Sequence, residues 1–325
     1  MSSQGALELE TGFSPCPNDT FIFDALVNGR IDTAPFRFLS RIADVEELNE
    51  LAFAGAYPVT KLSFYAYLLL KDRYDLLDSG AALGYGCGPL LVARKGGGRD
   101  QISATREHHT ISPEIGMLSP GCPAWLRDAR IAVPGRGDDL LSPEIGIVPP
   151  DFPARLKDAR IAVPGRYTTA YLLLQLWQGG RGNVEFARFD EILPGVASGR
   201  YDAGLIIHEG RFVYQNYDCR ELIDLGQWWE AETGLPLPLG CIALRRDMSR
   251  HKEAVEALLR QSVEYARKNP QAGMEFIKRH AQELDDEVIS AHISLYVNDF
   301  TLSLGERGRR AVEVLEERAR CLGIL

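Results

Sequence analysis

Three short stretches place hydroxyl, amide or carboxylate side chains where a predicted strand gives way to a predicted helix. They are SPCPNDTF at 14–21, VTKLSFYAY at 59–67 and VPGRYTTAY at 163–171. The first turn of a helix has backbone N–H groups without intrahelical acceptors, and the helix dipole adds positive charge there. A carboxylate or phosphate could therefore bind at Ser63, or at Thr168 and Thr169. Ordinary N-capping explains the same residue types, so both interpretations stay open here.

Two titratable side chains lie at the ends of predicted buried strands. Lys61 in VTKLS occupies a strand end that should otherwise be buried, so it either reaches solvent or faces a ligand. His208 follows the apolar run Leu205, Ile206 and Ile207. A neutral imidazole in this place can act as a general base near pH 7. A hydrogen-bonded structural histidine is the alternative.

The other histidines carry weaker signals for catalysis. Two of them, His108 and His109, lie in a polar, glycine-rich segment. The remaining three fall in the helical C-terminal part, where surface or core positions are expected: His251, His280 and His292. The chain has no Walker loop, no GxSxG and no HExxH.

Two further local features are ambiguous. GYGCGP at 84–89 is a weak match to a phosphate-binding loop, because a strand rather than a helix is predicted to follow it. The cluster Gln227-Trp228-Trp229 could form the floor of a pocket for a flat ligand, or its tryptophans could belong to the core. Neither feature identifies a function by itself.

Elements that alternate between strand and helix carry these residues. Apolar runs followed by helical spacing predict strand-to-helix pairs beginning near 6, 56, 160 and 183, and helices dominate after Ser249. Asn18 or Asp19 is expected to cap the first helix, and Ser63 the third. This alternation of strands and helices predicts an α/β fold with a mostly parallel sheet. In such sheets the ligand site lies beyond the carboxyl ends of the strands.

Composition argues against several classes of function. The net charge of −9 and the pI near 5.3 argue against a nucleic-acid surface, which needs a basic patch. No apolar run is long enough for a membrane span, and the N-terminus lacks the pattern of a secretory signal. Six scattered cysteines without a CxxC pair indicate neither a disulfide framework nor a zinc finger. We therefore expect a cytoplasmic protein with reduced thiols.

The segment DARIAVPGR occurs twice, at 128–136 and at 158–166. Aligning 112–136 with 142–166 gives 18 identities in 25 positions. Solenoid folds need about three or more units to bury a continuous core, so two copies indicate a local tandem duplication. Only the second copy is followed by Tyr-Thr-Thr at a helix start, whereas the first runs into Gly137-Asp138-Asp139, which would repel an acidic ligand. The second copy is therefore expected to be the functional one.

Seven longer motifs together resemble the 1,4-dihydroxy-6-naphthoate synthase family of the futalosine route to menaquinone. They are GFSPCPNDTFIF, VTKLSFYAY, SGAALGYGCGPLLVAR, RIAVPGRYTTAYLLL, AGLIIHEGRF, DLGQWWEAETGLPLPLG and HISLYVNDF. The resemblance implies a two-lobed, periplasmic-binding-protein-like (type II) α/β fold with a ligand cleft between the lobes. The large lobe would comprise 1–95 and 225–325. The small lobe would comprise 96–224, with an atypical insert at about 96–157, where the family pattern breaks.

The resemblance also implies an activity and its residues. The family is a group of carbon–carbon lyases that convert cyclic dehypoxanthine futalosine to 1,4-dihydroxy-6-naphthoate, and no metal or organic cofactor is implied. His208 would be the proton acceptor. The partner is expected to be a small-molecule carboxylate, with no nucleic acid and no membrane span. By motif, the substrate-binding residues would be Lys61, Leu62, Ser63, Thr168 and Thr169, with Asn18 and Asp19 as further candidates.

Two other functions fit the same fold. A chorismate dehydratase of the same pathway is one alternative, although SPCPNDTF and TTAY favour the synthase. A non-catalytic binding protein for a small acid is the other, and it would need an export signal that is not visible. A histidine at a strand end adds little to simple binding. The lyase is therefore the main hypothesis.

Overall fold

The computed structural model describes residues 6–96, 156, 159–180, 182–282 and 285–325. In these ranges the chain forms two sheets. The strands are β1 (Leu7–Phe13), β2 (Phe36–Ile42), β3 (Val59–Ser63), β4 (Tyr74–Leu76), β5 (Ala82–Gly84), β6 (Leu90–Arg94), β7 (Ile161–Val163), β8 (Val184–Phe186), β9 (Ala203–Ile206), β10 (Cys219–Asp224) and β11 (Leu237–Arg245). The first sheet has the order β2-β1-β3-β11-β4, with β5 paired to β11, and the second has the order β10-β6-β9-β7-β8.

Helices follow most of the strands. They are α1 (Pro17–Val27), α2 (Val45–Phe53), α3 (Phe64–Leu69), α4 (Thr169–Gln178), α5 (Phe189–Ala197), α6 (Gly210–Val213), α7 (Leu225–Thr233), α8 (Lys252–Lys268), α9 (Met274–His280), α10 (Asp286–Tyr296), α11 (Asp299–Leu302) and α12 (Gly305–Cys321). The predicted alternation of strand and helix is confirmed, as is the helical C-terminal part.

Each sheet is the centre of one lobe, and the chain crosses between them near Leu90. Strand β6 pairs with β9 and β10, so Leu90–Arg94 lies in the second sheet, although 1–95 is expected in the other lobe. The chain leaves the second sheet after β10, which ends at Asp224. Almost all of the predicted insert at 96–157 lies outside the described residues.

The prediction of a mostly parallel sheet is wrong, because both sheets are mixed. β1 is parallel to β2 and β3, and β7 is parallel to β8 and β9. By contrast, β6 and β11 run antiparallel to their neighbours. Leu90 at the start of β6 faces Ile206 at the end of β9, and Gly240 near the start of β11 faces Ser63 at the end of β3. A strand that enters from the other lobe starts at the inner edge of its sheet, so it runs opposite to strands that end there.

The caps predicted for the first and third helices are wrong. Cys16, not Asn18 or Asp19, occupies the N-cap position of α1, and it makes no side-chain cap. Ser63 occupies the N-cap position of α3, but its side chain does not cap the helix either. Only Thr168 among the candidates is a true cap, at the start of α4. The other side chains form buried hydrogen bonds elsewhere, and these compete with capping.

The two lobes share part of their hydrophobic core. One cluster of buried side chains includes Leu62 of β3 and Leu205 of β9. Trp229 in α7 is fully buried in this cluster and donates its indole N–H to the Pro236 carbonyl over 3.2 Å, while Trp228 packs against the same cluster. The tryptophan pair is therefore core and not a pocket floor. Across the part of the chain that the structure describes, no helix has the length and apolar character to cross a bilayer.

The cysteines follow the expectation of reduced thiols only in part. Within the described ranges, four are buried and free: Cys16, Cys87, Cys219 and Cys241. Cys321, at the end of α12, is disulfide-bonded, so the expectation is wrong for this residue.

Candidate active site

A cleft is lined by the carboxyl ends of strands from both sheets. The segments after β1 and β9, the end of β3 and the start of α4 form much of its wall. This is the position that the strand-end rule for α/β sheets predicts. All eight residues selected from the sequence line this one cleft: Asn18, Asp19, Lys61, Leu62, Ser63, Thr168, Thr169 and His208. Their chemical roles stay predictions.

Lys61 forms a buried ion pair with Asp19 in the wall of the first lobe. The Nζ–Oδ1 distance is 2.6 Å, and the two side chains are only 6% and 2% exposed. Asp19 also accepts from the Ser14 hydroxyl at 2.7 Å and from Asn18 Nδ2 at 2.8 Å. A lysine ammonium carries three donors, and Asp19 takes one of them, so Lys61 retains donors for a ligand in the cleft.

His292 belongs to this wall, although its own surroundings in the sequence suggest only a surface or core residue. It is 1% exposed, and its Nε2 lies 2.9 Å from Asn18 Oδ1. Burial first, and then the charges of His208 and Lys61, lowers the pKa of the imidazole to about 3. The ring is therefore neutral near pH 7, with Nε2–H donating to Asn18. The available sequence signal is its place in the motif HISLYVNDF.

Ser63 is held by Asn49 of α2. The Asn49 side chain donates to the Ser63 hydroxyl at 3.1 Å and accepts from the Ser63 backbone N–H at 2.9 Å. This two-way contact explains why the hydroxyl does not cap α3. The hydroxyl oxygen acts as an acceptor, and its own hydrogen is left for an acceptor in the cleft.

Thr168 and Thr169 have their hydroxyl groups engaged within the protein. Thr168 accepts from the backbone N–H of Tyr171 at 3.2 Å and donates to the Gly165 carbonyl at 2.9 Å. Thr169 donates to the Leu239 carbonyl of β11 at 2.7 Å and accepts from the backbone N–H of Tyr65 in α3. Thr169 therefore links the start of α4 to the first lobe. Apart from the N–H of Tyr171, the backbone N–H groups in the first turn of α4 lack an intrahelical acceptor and are the donors available to a ligand.

His208 lies two residues after the end of β9 and has one ring nitrogen held in place. Its Nδ1 lies 3.1 Å from the Sγ of Cys16, and the Phe189 ring packs edge-on at 5.0 Å between centroids. Its Nε2 is buried and has no partner among the residues described. The backbone has φ of 56°, a left-handed conformation that costs about 1–3 kcal/mol in a residue with a side chain. Strain of this kind is characteristic of functional positions.

Cys16 also belongs to the site. It lies within the motif SPCPNDTF, but no chemical role was predicted for its thiol. It is buried, and it belongs to the first lobe while His208 belongs to the second. Burial, followed by the carboxylates of Glu209 and Asp19, raises the pKa of the thiol well above its usual value. Cys16 is therefore a protonated thiol near pH 7 and not an activated nucleophile.

The glycine-rich stretch GYGCGP contributes packing to the cleft rather than a phosphate loop. Cys87, Gly88 and Pro89 line the cleft. A Cβ on Gly88 would lie 2.3 Å from the backbone of Gly226 at the start of α7, so glycine is required for this close approach.

The two copies of DARIAVPGR differ in what the structure describes. The first copy, at 128–136, lies outside the described residues, together with His108 and His109. The second copy supplies β7 at Ile161–Val163 and leads directly to Thr168 and Thr169 in the cleft wall.

Known relatives match almost the whole chain. A family model described as menaquinone biosynthesis matches residues 9–112 and 147–321. A 1,4-dihydroxy-6-naphthoate synthase from Thermus thermophilus is 43% identical over 317 residues, which cover 97% of this chain and 95% of the relative. A second one, from Streptomyces coelicolor, is 37% identical over 327 residues, which cover 98% of this chain and 94% of the relative.

Solved structures agree on the fold. A protein from Archaeoglobus fulgidus is 32% identical, with a TM-score of 0.75 and 98% of each chain covered. An alkanesulfonate-binding protein from Xanthomonas axonopodis has a TM-score of 0.62 at 13% identity, covering 99% of this chain and 96% of its own. A Candida albicans protein with the periplasmic-binding-protein fold has a TM-score of 0.55 at 12% identity, covering 98% and 90%. The predicted two-lobed, periplasmic-binding-protein-like fold is confirmed.

Proposed function

The chain belongs to the menaquinone-biosynthesis family that includes the 1,4-dihydroxy-6-naphthoate synthases, and we propose that it cleaves cyclic dehypoxanthine futalosine with His208 as the general base. Identity of 43% over nearly the full length of both chains supports an enzyme of this pathway and this reaction. The resemblance found in the seven sequence motifs is thereby confirmed at the level of the family.

The arrangement of His208 is the observation that carries the choice of base. A general base needs a fixed ring with one nitrogen free to meet the substrate. Nδ1 is held at Cys16, and Nε2 is buried without a partner in the described part of the chain. In the tautomer that carries its hydrogen on Nδ1, this N–H points at the sulfur and the lone pair lies on Nε2. This lone pair is shielded from water and is available to a group that enters the cleft.

Proton removal by His208 would begin the carbon–carbon cleavage. The base takes the proton of the sugar-derived ring or of its hydroxyl. When a hydroxyl is deprotonated, its oxygen forms a carbonyl as the neighbouring carbon–carbon bond breaks. The electrons of that bond pass into the bicyclic part, which becomes the aromatic dihydroxynaphthoate. Aromatisation supplies the driving force.

Both lobes offer partners for the carboxylate of the substrate. Lys61 keeps donors beyond its contact with Asp19, and the first turn of α4 presents backbone N–H groups beside Thr168 and Thr169. Ser63 adds a hydroxyl donor. A small-molecule carboxylate with several hydroxyl groups therefore fits the polar groups of both walls.

A cytoplasmic location is part of this proposal. It is supported by buried free thiols at Cys16, Cys87, Cys219 and Cys241. Fractionation of the native cells tests it directly, with the protein expected among the cytoplasmic enzymes.

The reaction is tested with the purified full-length protein and cyclic dehypoxanthine futalosine. We expect dihydroxynaphthoate, detected by mass spectrometry, together with the released sugar-derived fragment. Chorismate offered under the same conditions should remain unchanged. Turnover of chorismate instead would identify a dehydratase, and tight binding of the futalosine derivative without turnover would identify a binding protein.

A further inference from the structure

Three metal-ligating side chains meet at the edge of the cleft, where the lobes touch. Cys16 Sγ, an imidazole nitrogen of His208 and a carboxylate oxygen of Glu209 all lie within 4.8 Å of one another. The Sγ and His208 Nδ1 are 3.1 Å apart. Cys16 comes from the first lobe and the other two residues come from the second, so the cluster exists only because the lobes pack together.

Glu209 supplies an independent observation that points to a cation. It is only 8% exposed, and its Oε2 is buried without a hydrogen-bond partner. Within the described ranges it forms no ion pair, since Lys61 is paired with Asp19. A buried carboxylate without a partner is costly, and an incoming cation would remove that cost.

We propose that Cys16, His208 and Glu209 form a binding site for a soft divalent cation, with Zn²⁺ as the representative ion. Thiolate, imidazole and carboxylate are the three ligand types that Zn²⁺ takes in proteins, whereas Ca²⁺ and Mg²⁺ require oxygen ligands. Zn²⁺ displaces the thiol proton on binding. With three protein ligands, a fourth position stays open for water.

Occupancy of this site would switch the enzyme off reversibly. An imidazole bound to the metal through Nδ1 keeps its remaining proton on Nε2, so it has no lone pair to accept another proton. The ion would also tie the first lobe to the second. Inhibition rests on the proposed role of His208, whereas binding of the ion does not.

Binding is measured on the chelator-treated, full-length protein without substrate. Zn²⁺ is titrated against a fluorescent chelator, and Co²⁺ is added separately to look for thiolate-to-cobalt charge transfer. We expect one saturable site with this band. Cys16→Ser should abolish the band and weaken Zn²⁺ binding by more than about 100-fold, beyond the usual cost of losing a supporting partner. Glu209→Gln, which keeps the side-chain volume, should also weaken binding.

Cys87→Ser is the matched control, because Cys87 lines the same cleft but lies outside the cluster. It should keep the affinity and the cobalt band. Absence of saturable binding, or equal loss in Cys87→Ser and Cys16→Ser, would overturn the site. Should Cys16→Ser fail to fold, Glu209→Gln decides, and unchanged Zn²⁺ affinity in that variant rejects the cluster.

Turnover measured with and without Zn²⁺ tests the consequence separately. We expect inhibition that a chelator reverses and that is lost in Glu209→Gln at the same Zn²⁺ concentration. An enzyme that binds Zn²⁺ at this site yet turns over at an unchanged rate would overturn the inhibitory part. Absence of turnover in every sample would count against the proposed function, while the Zn²⁺ and Co²⁺ titrations would still decide the site.

Discussion

The two walls of the cleft differ in how completely their polar groups are partnered. On the first-lobe wall, Lys61, Asp19, Asn18 and His292 form one continuous series of contacts at 2.6, 2.8 and 2.9 Å, and within the described chain only Nδ1 of His292 in this series is buried without a partner. On the second-lobe wall, Nε2 of His208 and Oε2 of Glu209 are buried without a partner within the described chain. A connected network fixes its members, whereas a buried group without a partner is stabilised only when something binds it. We therefore expect the first wall to hold Lys61 in a fixed position for the substrate, and His208 of the second wall to react with it.

The largest effect on turnover is expected from a substitution on the second wall. His208→Gln should lower kcat by about 10²–10⁴-fold, the usual cost of removing a positioned base. The thermal midpoint should stay close to that of the wild type, because the network of the first wall is untouched. Steady-state turnover and a thermal melt of the same sample check both points. His251→Gln is the matched control outside the cleft, and near-wild-type turnover in His208→Gln would exclude this residue as the base.

The next effect concerns the stability of the first wall. Lys61→Met leaves the Asp19 carboxylate buried without its cation, and the unfolding free energy should fall by about 3–5 kcal/mol. Adding Asp19→Asn to the same variant should restore part of the loss. Urea unfolding followed by circular dichroism measures both variants.

The control for this prediction is an exposed ion pair. Lys278 and Asp286 form a contact at 2.6 Å with side chains 42% and 66% exposed. Lys278→Met should therefore cost less than about 1 kcal/mol. Equal losses in Lys61→Met and Lys278→Met would mean that the first wall is not held by its buried pair.

The stability of the first wall is expected to depend on pH through His292. The pKa of His292 is lowered to about 3 by burial and by His208 and Lys61, so the unfolded state takes up a proton at higher pH than the folded state does. Its contribution to stability is fully present above about pH 6.5 and is lost as pH falls towards 3, by about 1.4 kcal/mol per unit. Between pH 7 and pH 5, His292→Gln should remove about 2 kcal/mol of the pH dependence.

The measurement for His292 is the unfolding free energy in urea at the two pH values. The readout is the change between them, since the substitution also alters stability at pH 7. His251→Gln serves as the control for loss of a histidine. It should keep most of the change in unfolding free energy that the wild type shows between pH 7 and pH 5. If His292→Gln shows the same change in unfolding free energy as the wild type, the acid sensitivity arises from other groups.

The smallest effect is expected from the duplicated segment. Deletion of 112–141 should leave folding and turnover unchanged, because the second copy supplies β7 and is followed by Thr168 and Thr169. The family model also matches only up to 112 and again from 147. Thermal melting and turnover of the deletion variant check this. Loss of activity would mean that the first copy is the structural one and that the second wall has been assigned to the wrong residues.

The spacing of apolar residues predicted the positions of the strands and helices well, but it predicted the helix caps and strand directions less well. Apolar alternation and helical spacing located the strands and helices, because side-chain period is a property of adjacent residues. It did not predict that β6 and β11 run antiparallel, since this depends on which edge of a sheet the chain enters. It also gave Asn18, Asp19 and Ser63 as helix caps, since their tertiary partners Lys61, His292 and Asn49 are not adjacent in the sequence.

The sequence by itself determined the family, the α/β architecture and eight of the residues that line the cleft, because each lies in a motif or at a strand end. Only the tertiary structure decided how those residues are paired. Cys16 and His208 are 192 positions apart, and Asn18 and His292 are 274 positions apart. The first contact joins the two lobes and the second joins two helices of the first lobe, and no local periodicity records either of them. The network of the first wall and the unpartnered groups of the second are therefore consequences of tertiary packing, acting mostly on residues that the sequence had already placed at the strand ends.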